Sequence, residues 1–337
     1  MPSPSFAGKR ERTSLPIERS AVRAATTATH AAIPIAVLGS AASAILRARR
    51  RGRVLASFRR SFYIRFGNDV VCVGPLALQR GPLNALYATT DETLSPERDV
   101  EVPAQVARSR AELTVGHRWR FDFGGAEVWA APVAPAWAAS SLRAGLQLLA
   151  ASARRRSPAG LGALLWRPQH AHDVGASALS DPLLRAVTPC AIAIRRWLAS
   201  ALAGSAAPFP PVDALIGLGG GLTPSGDDYL CGIMVALHYF GRKDLAGQVA
   251  DAVLPRAARD TSLISAAYLR CAANGEASIV LFDALACLLD ADAVRLGQCL
   301  DAVGRVGHTS GWDCLAGAVT VCIEMAEHVM ARNFEIY

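Results

Sequence analysis

Charged residues are in short supply. They make up 19% of the 337 residues against 52% apolar, which excludes a self-repelling disordered polymer and leaves ample material for a large core. Acids are scarcest at the start: residues 1–60 hold 12 Lys and Arg but only Glu11 and Glu18, while the rest carries 23 basic and 26 acidic groups. The net charge of +7 therefore belongs to the N-terminal segment. A nucleic-acid footprint covers a folded face with interleaved aromatics. This charge falls mostly on a stretch without apolar period, so no nucleic-acid partner is expected. No C-x-x-C pair occurs among the eight cysteines, which excludes the usual zinc and redox spacings and favours buried free thiols in a reducing cytoplasm. The apolar stretch Ala31–Leu46 contains Pro34 and is 16 residues long, short of the ~20 that cross a bilayer. Arg47, Arg49, Arg50 and Arg51 follow it rather than precede it, the reverse of a signal peptide. It reads as a surface helix of a cytoplasmic protein with no membrane partner.

What is present falls into three parts. Residues 1–28 are rich in Ser, Thr, Arg and Pro and read as a basic tail, whose removal should leave the fold intact. Residues 29–135 are β-rich: Val54–Phe66 and Asp69–Val73 flank a Gly67-Asn68 turn, Gly-Pro pairs follow at 74 and 81, and Trp119–Pro132 offers two strands about Gly124-Gly125. Residues 136–337 are helical, over Ala136–Ala153, Pro182–Ala203 and nearly everything after Pro224, with Gly160–Asp173 as a connecting loop. The fold class is α+β, with a smaller β-rich part preceding a larger helical one.

The most informative segment is Gly217–Gly232, GLGGGLTPSGDDYLCG. Four glycines in five positions free the backbone for positive φ and expose its N–H groups. Thr223-Pro224 then opens an apolar, buried helix, with proline in its first turn, that stops at Gly241. Gly217-x-Gly219 lacks the third glycine of a dinucleotide fingerprint. In the P-loop spacing Gly221-x-x-x-x-Gly226, Asp227-Asp228 replaces the required Lys-Ser/Thr. Neither nucleotide motif applies.

Ser225–Gly232 aligns without gaps on Ser310–Gly317 as S-G-x-D-x-L-x-G. Asp and Gly stand four apart in both copies, so a carboxylate and a backbone notch share one helix face. Two such helices can pack with both mouths at one end, Asp228 and Asp313 bordering one cavity. His308 precedes the second copy and adds a group that titrates near neutrality. The functionless alternative is a pair of capping boxes, Ser225/Asp228 and Ser310/Asp313. It explains neither the glycines nor Asp227, which lies between cap and acid. If the motif is instead a functional site, Asp227→Asn should keep the melting temperature while abolishing activity or ligand binding. Other features read as structure: His170, His172 and Asp173 fit no helix face, His238 is a core histidine, Arg154–Arg156 is a solvated helix end, and Thr261-Ser262 caps a helix over Leu263–Ala273 that turns Ser265 toward the same pocket.

These residues also resemble a known family. Gly217–Gly232, TSLISAAYLRCAANGE at 261–276 and GHTSGWDCLAGA at 307–318, in this order, resemble the bacterial oxamate carbamoyltransferase subunit (AllH) family. The resemblance spans about 210–330 and extends to about residue 50 through Val54–Phe66 and the Gly-Pro turns. It implies a subunit of a multi-subunit enzyme of allantoin and purine-nitrogen catabolism, converting oxalurate and phosphate to oxamate and carbamoyl phosphate. Its partners would be those small molecules and the other subunits. Backbone N–H groups of Gly219, Gly220 and Gly221, with Thr223, Ser225, Gly226, Ser310 and Gly311, would bind substrate. Asp227, Asp228, Asp313 and His308 are the candidate catalytic groups, and Asp227 and Asp228 suit an anion site only where they bind Mg²⁺ or face the substrate's amide N–H groups. Two rivals remain open: a non-catalytic subunit that binds a small metabolite, favoured by the lack of Arg or Lys in the motif, and a metal-assisted hydrolase using the paired aspartates.

Overall fold

A computed structural model describes residues 32–88, 96–166 and 181–334. The tail at 1–28 and the cluster His170, His172 and Asp173 lie outside the described residues. Ile33–Gly39 is strand β1 and Ser40–Ala48 is helix α1, so the stretch expected as one surface helix divides in two. Ile33, Ile35 and Val37 are β-branched and Pro34 disrupts a helix interior. Gly39 marks the break, where a Cβ would lie 2.1 Å from Gly81 O. Nor is this strand superficial, since Ile35, Val37 and Leu38 are buried.

Eight more strands follow: β2 (Arg51–Ser57), β3 (Phe62–Phe66), β4 (Asp69–Pro75), β5 (Asn84–Tyr87), β6 (Gln105–Ser109), β7 (Glu112–Val115), β8 (Trp119–Asp122) and β9 (Glu127–Trp129), with the short helix α2 (Pro96–Asp99) between β5 and β6. Val54–Phe66 is thus a hairpin rather than one strand, while Gly67-Asn68 makes the expected turn into β4. β8 and β9 flank Gly124-Gly125 as expected but do not pair with each other. Both run parallel to β1, alongside its two halves. Because β1 also pairs with β5, the order β5-β4-β3-β2-β6-β7-β8-β1 closes into a barrel, which removes free edges. Alternate residues such as Val54, Ile64, Val106, Leu113 and Phe121 fill it, joined by Ala42 and Leu46 of α1. Seven of the 12 basic residues among the first 60 sit on this part, from Arg47 to Arg60. The charge is therefore displayed mostly on folded structure, not mostly on the tail.

The helical part comprises α3 (Ala139–Arg156), α4 (Pro182–Leu202), α5 (Ser225–Tyr239), α6 (Lys243–Asp260), α7 (Leu263–Ala272), α8 (Ile279–Asp290), α9 (Ala293–Val303) and α10 (Ser310–Phe334). With the barrel it makes the expected α+β arrangement. By length and hydropathy α10 is able to cross a membrane, yet 67% of its apolar window is buried against other helices. It is the core helix, paired with α5. All eight cysteines are free. The barrel meets the helices where Val70 and Leu83 pack on Ile264, Ala267 and Cys271 of α7. That contact fixes α7, whose N-terminus reaches the glycine-rich loop.

Candidate functional site

The two S-G-x-D-x-L-x-G copies open α5 and α10. Ser225 and Ser310 are the first helical residues, so the cap positions fall one residue earlier, to Pro224 and Thr309. The carbonyls of those two accept from Asp228 N–H at 3.0 Å and Asp313 N–H at 2.9 Å. This corrects two expectations. Pro224 precedes the helix instead of occupying its first turn, and neither serine is the cap of a capping box. The serines turn across the pair instead: Ser310 Oγ lies 2.9 Å from Thr223 Oγ1, and the Ser310 and Ser225 hydroxyls act to lower the pKa of Asp228 and of Asp313 respectively.

The glycines explain how the helices come that close. A Cβ on Gly232 would lie 1.9 Å from Cys314 O, and one on Gly317 would lie 1.9 Å from Tyr229 O. Tyr229 and Cys314 are equivalent positions, so the contact is reciprocal. Gly226 and Gly311 repeat the pattern against Leu215 O and Val303 O, at 2.0 and 2.2 Å. The two copies are structural counterparts about a pseudo-two-fold relation. Their N-termini meet at one end, where Thr223 Oγ1 and Ser310 Oγ are 2.9 Å apart.

The carboxylates have different surroundings. Asp227 is fully buried and accepts from Gly217 N–H at 2.8 Å, from Ser265 Oγ at 2.6 Å and from Thr261 Oγ1. Both its oxygens are occupied in joining the glycine loop to α7. The expectation that Asp227→Asn would leave stability untouched is therefore corrected, because an amide cannot accept on both sides. Asp313 is also fully buried and accepts from Leu161 N–H at 2.6 Å, holding the 3-10 turn Gly160–Trp166 over α10. Gly160 makes this approach possible, since at φ +61° its Cβ would fall 2.4 Å from Asp313 Oδ1. Asp313 Oδ2 has no partner. Asp228 is 8% exposed, and its Oδ2 is likewise buried and unpartnered. Burial pushes the Asp228 carboxyl well above the usual range and the neighbouring charge of Asp313 adds to this, opposed by Ser310 and Thr223. Burial also raises Asp313, against the Leu161 N–H and the Thr309 and Ser225 hydroxyls.

The glycine-rich loop completes the mouth. Gly217, Gly219 and Gly221 have φ of +72°, +111° and +91°. At Gly217 a Cβ would also come within 2.3 Å of Asp260 O, whereas Gly220 and Gly221 face open space. Gly219, Gly220 and Gly221 are exposed, and among the described residues no hydrogen-bond partner meets their N–H groups. Ser262 caps α7 and also donates to Leu222 O, tying down the far end of the loop. Ser265 does point into this region, as its helix predicts. His308 stands exposed one residue ahead of Thr309. His238 is a satisfied core histidine, Nε2 lying 2.9 Å from Ala273 O. The Gly160–Trp166 turn was missed in the sequence, where it reads only as connection.

The paired aspartates do not form a chelate. Asp227 has spent its oxygens, and among the described residues no group of three or more His, Cys, Asp or Glu is placed to hold a metal. A Mg²⁺ site built on Asp227 and Asp228 does not fit.

A β-barrel joined to a helical part, with two glycine-notched helices opening at one mouth, describes the class of structure. Residues 215–322 match the sequence model of a family described as oxamate carbamoyltransferase subunit AllH. The matched stretch runs from the end of the turn before the glycine loop into the middle of α10, and so contains both motif copies and α7. No solved structure matches the chain.

Proposed function

We propose that this chain is a subunit of a carbamoyltransferase assembly of the oxamate type and that the mouth shared by α5 and α10 is its substrate site. The observation that carries this reading is the buried, unpartnered Asp228 Oδ2 in the first turn of the helix that the Gly219–Gly221 loop leads into, a loop whose N–H groups meet no hydrogen-bond partner among the described residues. In the direction oxalurate plus phosphate to oxamate plus carbamoyl phosphate, a phosphate oxygen forms a bond to the carbamoyl carbon. The bond from that carbon to the oxamate nitrogen breaks, and the leaving nitrogen takes a proton. Asp228, whose protonated form burial favours, supplies the proton, and in reverse its carboxylate removes it. The loop N–H groups and the α5 dipole meet the negative oxygens of phosphate and of the carbamoyl group. Thr223 and Ser310 add hydroxyls, Ser225, Gly226 and Gly311 shape the crossing, and His308 exchanges the proton with solvent. Asp227 and Asp313 position the loop and the Gly160–Trp166 turn.

A second reading has a specific observation in its favour: neither Gly217–Gly232 nor Ser310–Gly317 contains Arg or Lys, which a doubly charged phosphate would normally attract. On it, the subunit binds a small metabolite such as oxamate and leaves chemistry to a partner. Calorimetric titration of the isolated chain with oxamate and with carbamoyl phosphate, beside turnover of the assembly carrying Asp228→Asn, separates them. Lost turnover with retained oxamate binding supports Asp228 as the proton-transfer group. Wild-type turnover with Asp228→Asn, and no binding of either ligand, would reject the site.

A further inference from the structure

Lysine is nearly absent from this chain: Lys9 and Lys243 are the only two among 35 basic residues. Its positive charge is guanidinium charge, and one end of the barrel concentrates it. Arg49 and Arg50 follow α1, Arg51 and Arg53 stand on β2, Arg65 on β3 and Arg108 on β6. Arg53 is directly opposite Arg65. Their neighbours Val54 and Ile64 point into the barrel, so both arginines point outward. Like charges directly opposite destabilise a strand pair. Among the described residues Arg49 has an ion pair, with Asp69 at 3.1 Å, and the other five have none.

The patch is also built rather than loose. Arg108 donates to the carbonyls of Arg49, Arg110 and Arg47 at 3.2, 3.1 and 3.1 Å, which staples the Arg47–Arg51 backbone to β6. Arg65 Nε is fixed by Gly67 O at 2.6 Å, leaving its terminal nitrogens outward. The chain's own N-terminal residues cannot neutralise the face, because residues 1–31 carry five basic groups and two acids. The acids Glu97 and Asp99 sit at the other end of β2, where Ser57 Oγ donates to Pro96 O.

We infer that this arginine face is a docking surface for an acidic protein surface, that of another subunit; the inference rests on reading the chain as part of an assembly. Guanidinium forks pair bidentately with carboxylates and are cheaply desolvated compared with ammonium groups. A single-stranded nucleic-acid groove needs aromatics between its cations. Here the outward neighbours across from Arg53 and Arg51 on β6 are Gln105 and Ala107.

The test uses the full chain and three probes in low salt: labelled poly-glutamate, a short DNA duplex and phosphatidylglycerol vesicles. Arg53→Glu turns the like-charged pair into an opposite-charged one, so it should fold at least as well as wild type by thermal melting. It should weaken poly-glutamate binding on the order of tenfold, as should Arg51→Glu, and wild-type binding should fall as salt rises. Unchanged poly-glutamate affinity in both variants overturns the inference. So does tighter binding of DNA or vesicles than of poly-glutamate. No substrate enters these measurements, so failure of the carbamoyl-transfer reading leaves their outcome unaffected and is recognised separately.

Discussion

Gly232→Ala puts the central feature of this structure under direct test. The added methyl would lie 1.9 Å from Cys314 O and 2.8 Å from Ala318 N, both backbone atoms of the partner helix. Neither atom can rotate away. Restoring an ordinary contact near 3.4 Å requires α5 and α10 to part by roughly 1.5 Å, which forfeits dispersion contacts along the buried crossing. Alanine gains about 1 kcal/mol of helix propensity over glycine. Overpacking against unyielding atoms costs about 3 kcal/mol or more, so the loss dominates. At about 2 °C per kcal/mol for a chain of this size, the melting temperature should drop by about 4 °C or more. Gly247→Ala in α6 is the matched control, because a Cβ there meets nothing within 4 Å. It keeps only the propensity term and should raise stability by about 0.5–1 kcal/mol. Differential scanning calorimetry of the two variants reads opposite signs. If Gly232→Ala were as stable as Gly247→Ala, the close crossing of the two repeat helices would be wrong.

Three further outcomes are expected. Asp227→Asn retains an acceptor for Gly217 N–H but presents NH₂ to the Thr261 and Ser265 hydroxyls, so it should cost about 2–4 kcal/mol and speed amide exchange at the start of α7; an unchanged melting temperature would contradict the clamp. Asp228 and Asp313 have folded-state pKa values raised above 3.8, so in the folded state they hold protons more tightly than in the unfolded chain. Their contribution is fully present below about pH 3.8 and is lost as pH rises through the raised values. The melting-temperature difference between Asp228→Asn and wild type should therefore grow as pH climbs from about 4, and a flat difference would refute the burial argument. Truncation of residues 1–28 should leave the melting curve in place, and a large drop would mean that they pack on the body.

Much of this was legible because it depends on neighbours in the chain. The glycine content of Gly217–Gly232 announced positive φ and open N–H groups, and the gapless repeat announced a second helix of the same kind. Gly67-Asn68 and Gly124-Gly125 marked turns, and Ser262 marked a helix cap. Where local signals misled, a longer-range contact was responsible. Ala31–Leu46 reads as one apolar run and so as one helix, but its β-branched first half is drawn into the barrel by pairing with β5, β8 and β9. The serines look like caps because Ser-x-x-Asp has cap spacing. Their hydroxyls are instead claimed by the opposite helix, and the register moves by one residue.

Sequence alone determined the α+β division, the repeated motif and the family resemblance, since each follows from residue order and spacing. Tertiary structure decided which aspartate does what. Asp227, Asp228 and Asp313 are chemically identical and share one motif. Only the backbone brought against each one differs: Gly217 N–H for Asp227, Leu161 N–H for Asp313, and none for Asp228 Oδ2. A carboxyl group's role is set by the donors and the solvent that reach it, and residues 10 and 152 positions away supply those donors. No local pattern encodes separations of that kind.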